Sequence, residues 1–454
     1  MSSSGGAGLL ELVARGKKDT FFTGDPKISF FHSIYRRKSP WIRETRFITP
    51  RNDGDFNSYS DFVLDPVADL MRDIHLIINL PTWLPTDVAT DNGTSIVRDL
   101  SGNAYGYSNH IGYYLLQKIQ LYQNQVLLYE DYGEAMYLRT VAKSTLARMN
   151  IYDRLTGGHD GSTLSIQRAA APGQIEVKLH LPCDTADFGI PIGSVKPFSL
   201  RLRVYLMPLD SVIESSANSL NPSPFNIPFT IQRTANGSPT QFTSKKKNDL
   251  GKPQLQLRVQ HIYVDGESQR ILKNSQWKIP FVRSVLNEYT LEDVVWKLSD
   301  LGLQASIRKR LELYGSAQRL RILFQSAANR SAGKLSNYAP ITGDSWFTSL
   351  SLLVHGYDRL GVWHSDIFSR VTPYCHDVGR PLNYVYCLDA GAEDQGFPAG
   401  TLNFTEVEKP EMQIMLTDQA QDSRNGIKKS FMRVYTDVWN VLLLEDQWFK
   451  LPYL

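Results

Sequence analysis

Ile175-Glu176-Val177-Lys178-Leu179-His180-Leu181 and Leu200-Arg201-Leu202-Arg203-Val204-Tyr205-Leu206 decide the fold class. In both stretches every second residue is aliphatic. A period of two places successive side chains on opposite faces of an extended chain, so each stretch reads as a strand with one buried face. Between them, Phe188-Gly189-Ile190-Pro191-Ile192-Gly193 reads as an apolar loop or turn. The same pattern appears upstream, where Ile74, Leu76, Ile78 and Leu80 alternate with Asp73, His75 and Asn79 until Pro81. Ile119–Tyr122 and Val126–Tyr129 flank Gln123-Asn124-Gln125 as a hairpin. Glu130 to Lys143 carries Ala135, Leu138 and Val141 or Ala142 at helical spacing.

The pattern restarts in the second half. Leu255, Leu257 and Val259 are followed by Ile262 and Val264, and this change of phase predicts a bulge. Leu320, Ile322 and Phe324 mark another strand, as do Met412, Ile414 and Leu416. Trp346–Val354 and Leu360–Trp363 form a hairpin around Gly356-Tyr357-Asp358. Tyr435, Asp437, Trp439 and Val441 carry the last strand, after the turn signal Asn425-Gly426. Ile307, Leu311 and Tyr314, spaced four then three, predict a helix inside an insertion. Pro81 to His110, polar and rich in Gly and Asn, reads as a long surface loop. From Asp210 to Lys252, Pro222, Pro224, Pro228 and Pro239 fall among Ser, Asn and Thr and lead to Lys245-Lys246-Lys247. That composition predicts a linker.

Each half thus runs alternating strand, long loop, hairpin, then further strands. Many short strands with few helices argue for β-sandwiches, and two stacked jelly rolls satisfy both the repeat and the length of 454 residues. Hydrophobic residues at 42% and aromatics at 11% suffice for two packed cores. A net charge of +3 gives no electrostatic case for a dedicated nucleic-acid or membrane binder. Cys183, Cys375 and Cys387 contain no CxxC pair or zinc spacing and read as reduced, partly buried thiols. Met1-Ser-Ser-Ser-Gly-Gly-Ala-Gly lacks the order of a signal peptide, and no run has the ~20 apolar residues of a spanning helix. Without a secretory signal, the sequons at Asn92, Asn236, Asn329 and Asn403 read as chance occurrences.

No constellation carries chemistry. His355 and His364, with Asp358 and Asp366 nearby, fall short of converging metal ligands. Cys375-His376-Asp377 suggests a thiol–imidazole pair, but neighbours in an extended segment point apart. Gly158-His159-Asp160-Gly161 lacks the repeated acidic spacing of a calcium loop and reads as a turn. Gly5, Gly6 and Gly8 follow no strand and precede no Lys-Ser/Thr, so they make no phosphate loop. Tyr105, Tyr107, Tyr113 and Tyr114 suit either a core or a subunit interface. The expectation is no catalytic residue, no metal site and no cofactor.

One stretch stands apart. Gly16-Lys17-Lys18-Asp19-Thr20-Phe21-Phe22-Thr23-Gly24-Asp25-Pro26-Lys27-Ile28-Ser29-Phe30-Phe31-His32-Ser33-Ile34-Tyr35-Arg36-Arg37 is aromatic, basic and punctuated by Gly24 and Pro26. Leu9–Gly16 before it suits a short amphipathic helix closed by Gly16. Together the segment reads as an arm that ties a β scaffold to its neighbours. Tyr35, Arg36, Arg37, Lys38 and Trp41 also suit a basic-aromatic nucleic-acid contact, but the surrounding sequence is not basic, which favours arginines pairing with carboxylates across subunits or facing an anionic membrane.

The order from Leu9 through Asp19-Thr20-Phe21-Phe22-Thr23-Gly24-Asp25-Pro26 to Phe30-Phe31 and Tyr35-Arg36-Arg37 resembles the N-terminus of double jelly-roll major capsid proteins of nucleocytoplasmic large DNA viruses of algae and amoebae. Gly400–Phe404 through Met412-Gln413-Ile414, and Phe188–Ile192, resemble later segments of that family. Lys38-Ser39-Pro40-Trp41 departs from its usual polar pair, and Glu288 to Tyr314 has no placed counterpart.

The resemblance implies an all-β fold of two consecutive eight-stranded antiparallel jelly-roll barrels, with an N-terminal arm and long loop insertions. The expected divisions are an arm at 1–45, a first jelly roll at 46–215, a Pro-rich linker at 216–252 and a second jelly roll at 253–454. The implied role is a capsid subunit of an icosahedral virion, made in the host cytoplasm and assembling as a pseudo-hexagonal homotrimer beside neighbouring capsomers. Minor capsid proteins and the inner viral membrane are the implied partners of the arm, with no specific nucleic acid. Phe30, Phe31, Tyr35, Arg36 and Arg37 are the candidate interface residues. The alternatives are a minor or paralogous capsid component, a jelly-roll glycan or receptor binder, and an enzyme on a double sandwich.

Overall fold

The computed structural model describes residues 40–91, 95–182, 189–217, 219–233, 237–291, 297–299, 302–340, 345–359, 361–379, 381–390, 400–407, 409–417 and 430–452. Among the described residues, the first part of the chain supplies thirteen strands. They are β1 (Trp41–Ile48), β2 (Tyr59–Val63), β3 (Leu70–Asn79), β4 (Ile96–Asp99), β5 (Tyr105–Tyr107), β6 (Leu116–Gln123) and β7 (Val126–Asp131). Then come β8 (Ile175–Lys178), β9 (Leu200–Leu206), β10 (Ile213–Ser215), β11 (Pro228–Gln232), β12 (Thr240–Thr243) and β13 (Gln254–Val264). Between β7 and β8 lie helices α1 (Gly133–Lys143), α2 (Leu146–Thr156) and α3 (Thr163–Arg168), and α4 (Gly266–Asn274) follows β13. The second part begins with β14 (Trp277–Thr290), β15 (Lys297–Ser299), β16 (Gly302–Arg310), β17 (Ser316–Ser326), β18 (Phe347–Val354) and β19 (Tyr357–Asp358). It ends with β20 (Trp363–His364), β21 (Val385–Asp389), β22 (Leu402–Asn403), β23 (Glu411–Thr417), β24 (Ser430–Glu445) and β25 (Trp448–Lys450).

The first jelly roll has two four-stranded antiparallel sheets, in the orders β1-β13-β3-β8 and β2-β9-β6-β7. Their alternating aliphatic residues meet in one core: Ile74, Leu76 and Ile78 from β3, Leu257 and Val259 from β13, Leu202 and Val204 from β9. The predicted bulge is present, with the β13–β3 register shifting between Arg258 and Gln260. The predicted hairpin is β6–β7, with Asn124 at φ 54° in its turn. The second jelly roll pairs β14-β24-β17-β21 in one sheet and β15-β16-β23-β18-β19 in the other. Its core holds Leu320, Ile322, Phe324, Trp346, Phe347, Met412, Ile414 and Leu416.

Three sequence expectations give way. Ile307 lies in strand β16, paired with Ile414, and not in a helix. Ala305 and Ile307 are buried while Ser306 and Arg308 are exposed, so a period of two wins over a four-three spacing that rested on three residues. Pro81 to His110 is no surface loop, since Trp83, Ala104 and Tyr107 are fully buried and Val97 joins the core. Nor is 216–252 a linker between barrels: β11 pairs with β4 and β12, Phe229 and Ile231 are buried, and β13 after it pairs with β3. Prolines there edge a short sheet, where Pro228 opens a strand, a position that tolerates a missing N–H.

Candidate functional site

The sheet β14-β24-β17-β21 is covered on both faces. In β17, Leu320, Ile322 and Phe324 point into the second core, and the intervening Leu323 packs into the first. In β21, Tyr386 and Leu388 enter the second core, while Val385 and Cys387 enter the first. Period-two alternation therefore still operates, but both faces are interior. The face toward the first jelly roll carries Arg319, Arg321, Gln325, Tyr435 and Asp437, all buried. This seam joins the two barrels.

Opposite it lies α1, placed by the helical spacing of Ala135, Leu138 and Val141. Glu134 in its first turn, where the helix N-terminus favours an anion, is buried and reaches across. Its Oε1 accepts from the Tyr338 hydroxyl at 2.7 Å and its Oε2 from the Tyr435 hydroxyl at 2.6 Å. Arg433 Nη2 lies 3.2 Å from Oε1 and donates to Gln325 Oε1 at 2.7 Å. The Tyr114 and Tyr338 hydroxyls bond each other. Burial, then the charge of Glu134, holds the Tyr114, Tyr338 and Tyr435 hydroxyls well above the ordinary tyrosine pKa, so they remain neutral donors. A carboxylate with this many partners is satisfied, and the network fixes one arrangement of the two barrels.

Further ion pairs extend the seam. Arg139 of α1 pairs with the fully buried Asp131, and Arg321 pairs with Asp437. Asp437 also accepts from Ser284 Oγ at 3.1 Å. Burial alone would raise the Asp437 pKa, but Arg321 and then Arg139, from the first barrel, hold it below the usual value. Arg319 Nη2 donates to Asp389 Oδ2 at 2.8 Å, and its Nη1 donates to Asp377 Oδ1. Past the end of α1, the N–H groups of Val378 and Gly379 donate to the Ala142 carbonyl at 3.0 and 3.1 Å.

The predicted interface residues Phe30, Phe31, Tyr35, Arg36 and Arg37 lie outside the described residues, as do Leu9–Gly16, Cys183, Phe188, Asn92 and Asn236. The histidines do not converge. His355 begins a turn with φ 53°, and the exposed His364 has Nδ1 3.4 Å from Asp366. Cys375 and His376 fall in the short helix Thr372–His376, not in an extended segment, and His376 Nε2 lies 3.9 Å from Asp389. Asp160 Oδ1 accepts from the Ser162 N–H at 2.9 Å and from the Ser165 hydroxyl, within the turn that caps α3. Tyr107, Tyr113 and Tyr114 are buried in the first core.

No protein-family model matches the chain. It is 29% identical over 96% of its length, and 96% of the relative's, to "Probable capsid protein 4" of Acanthamoeba polyphaga mimivirus. It is 20% identical to the "Major capsid protein" of Pyramimonas orientalis virus, over 85% of this chain and 80% of that one. In fold, VP54 of PBCV-1 superposes with a TM-score of 0.69 at 16% identity, covering 94% of this chain and 100% of that one. In sequence the chain is similar to capsid proteins of large DNA viruses, and in fold it is similar to their double jelly rolls. The Faustovirus major capsid protein shares the architecture, with a TM-score of 0.64 at 12% identity, covering 95% and 94% of the two chains.

Sequence reasoning missed the seam residues Glu134, Arg319, Arg321 and Arg433, and it placed Asp437 only as part of a strand. The signal was present as Arg319-Leu-Arg321-Ile and Met432-Arg433-Val434-Tyr435-Thr436-Asp437, charge alternating with aliphatic residues. Such alternation reads equally as a solvated face, and only the partner barrel distinguishes the two.

Proposed function

We propose that this structural capsid subunit works by self-assembly alone, as a homotrimer whose six jelly rolls form a pseudo-hexagonal block tiling an icosahedral shell. The observation that carries the reading is the full-length match to a mimivirus capsid protein on a double jelly-roll body. The exposed apolar side chains support it. Ile42 and Phe47 stand 71% and 57% exposed on β1, at the edge of its sheet, and Tyr357, Val362 and Tyr374 stand 81%, 72% and 81% exposed. Side chains like these are covered when subunits associate. In this reading the barrels divide near α4, the arm of residues 1–45 contacts neighbouring subunits, minor capsid proteins or the inner membrane through Phe30, Phe31, Tyr35, Arg36 and Arg37, and synthesis takes place in the host cytoplasm.

One observation favours a paralogous, less abundant shell component. Mimivirus has both a "Probable capsid protein 4", matched over nearly the whole chain, and a "Capsid protein 1", matched over 74 residues. Sedimentation and imaging of the purified protein test assembly: the expected result is a trimer with six-lobed outline, and a stable monomer at micromolar concentration contradicts it. Deleting residues 1–37 is expected to spare the barrels and impair shell assembly; unchanged assembly would show the arm to be dispensable.

A further inference from the structure

At one end of the seam lies a cavity of about 230 Å³ whose wall carries Arg139, Lys143, Arg148, Lys178, Arg319 and Arg321 against, among the described residues, a single lining carboxylate, Asp437. Three of these cations form a buried floor. Arg139, Arg319 and Arg321 are each more than nine-tenths buried and are fixed by Asp131, by Asp389 with Asp377, and by Asp437. Lys143 and Arg148, one at the end of α1 and one on α2, are exposed, and Lys178 Nζ stands 3.6 Å from Asp73.

The carboxylates position the arginines without using up their donors. A guanidinium brings five N–H groups in a planar fork. The Arg139 Nε–H is buried with no hydrogen-bond partner among the described residues, a state that is unfavourable unless something accepts from it. Thr140, Ser144, Tyr152 and Gln318 add neutral polar groups to the wall. The cavity is rich in donors and poor in acceptors.

His180 in the same wall feels the charge of these cations. Its pKa lies well below the ordinary histidine value, first through burial and then through the charges of Arg139, Lys178, Lys143 and Arg321. The imidazole stays neutral, with Nε2 2.8 Å from the Thr140 hydroxyl.

We propose that this cavity is a binding site for a small multiply charged phosphate oxyanion, held by Arg139 and Arg321 at the floor and by Lys143 and Arg148 at the rim. Phosphate oxygens are acceptors only and match arginine forks in geometry. The volume suits a pyrophosphate-sized ion and excludes a nucleic-acid duplex. Because α1 and α2 belong to the first barrel and β17 to the second, the bound ion bridges the two and stabilises their junction by mass action.

The test is calorimetric titration of the full-length protein with inorganic pyrophosphate, and in parallel orthophosphate, at ionic strength held constant with sodium chloride. The expected result is saturable binding of one pyrophosphate per chain, with a rise in Tm. Lys143→Glu with Arg148→Glu, both exposed and outside the buried pairs, should weaken binding at least about tenfold, the loss of one charge-assisted contact. The ligand-free Tm of that variant should match wild type, and Lys246→Glu in the distant lysine run should bind normally. No saturable heat at millimolar pyrophosphate overturns the proposal. So does equal binding by the double variant, or loss of binding in Lys246→Glu.

Discussion

The two sheets of the second jelly roll obey one sequence rule and meet different surroundings. In the sheet containing β23, the pattern of buried and half-buried residues alternates strictly from Glu411 to Thr417, with Met412, Ile414 and Leu416 inward. In the facing sheet, β17 is buried at every position from Ala317 to Ser326, although Arg319, Arg321 and Gln325 occupy the alternate places. The first sheet has water behind it, and the second has another barrel. A polar face against water is satisfied by solvent, whereas a polar face against protein must be satisfied by named partners. The seam supplies them through Asp437, Asp377 and Asp389 within the second barrel, and through Glu134 reaching across from the first, which is the contact that couples the barrels through charge as well as shape.

The comparison breaks most visibly at Glu134. Glu134→Ala leaves the largely buried Arg433 side chain with its carboxylate removed, and chemical denaturation should show a loss of about 3–5 kcal/mol. Glu134→Gln keeps an acceptor for the tyrosines and should lose less.

A second contact between the halves gives the next largest effect. There Ser108 Oγ donates to the Gly333 carbonyl, and Gly333 packs so closely on the Ile213 carbonyl that no side chain fits. Glu214 nearby has Oε2 3.7 Å from His159 Nε2. Burial raises its pKa from 4.5 to about 7, partly offset by Lys334. Between those values the folded protein holds a proton that the unfolded chain has released, so this group's contribution to stability falls as pH rises from 4.5 to about 7 and is level above. His110 and His159, both depressed by burial, act in the opposite sense at low pH and remain in Glu214→Gln. The stability difference between wild type and that variant should therefore change by roughly 2–3 kcal/mol across the window, read from denaturation at several pH values. A constant difference would refute the assignment.

The water-backed sheet should respond as an ordinary one-sided sheet. Ile414→Val in its core should cost about 1 kcal/mol by the same measurement. Smallest of all is Arg308→Ala, which removes an exposed pair at 3.4 Å from Glu411 and should change stability by less than about 0.5 kcal/mol. A loss as large as that of Glu134→Ala would erase the distinction between the two sheets.

Period-two patterning made most of the strands legible, including the phase change at Val259 that the structure realises as a bulge. It could not say which strands share a barrel. Leu255, Leu257 and Val259 read as the opening of a second domain, whereas β13 closes the first by pairing with β3. Pairing partners far apart in sequence leave no local trace. Ile307 was misread because three apolar positions are too few to establish a helical period, and Tyr314, the third of them, is exposed. Trp83, Tyr107 and Phe229 were hidden in stretches whose Gly, Asn and Pro content suggested solvent, yet all three rings are buried in the first core. The seam was the least legible part. A buried arginine and a solvated one look alike in sequence, and of the satisfying carboxylates Glu134 lies in α1 while Asp377 lies just past a short helix far along the chain. The arm carried the clearest family resemblance, because a long residue order specifies ancestry even where it does not specify contacts.

Differential scanning calorimetry of the full-length protein tests the coupling of the barrels most directly. The account predicts one cooperative transition with matching calorimetric and van't Hoff enthalpies, and a split or broadened transition in Glu134→Ala. Two resolved transitions in the wild-type protein, or a Glu134→Ala trace identical to it, would contradict the claim that the seam makes the two jelly rolls one body.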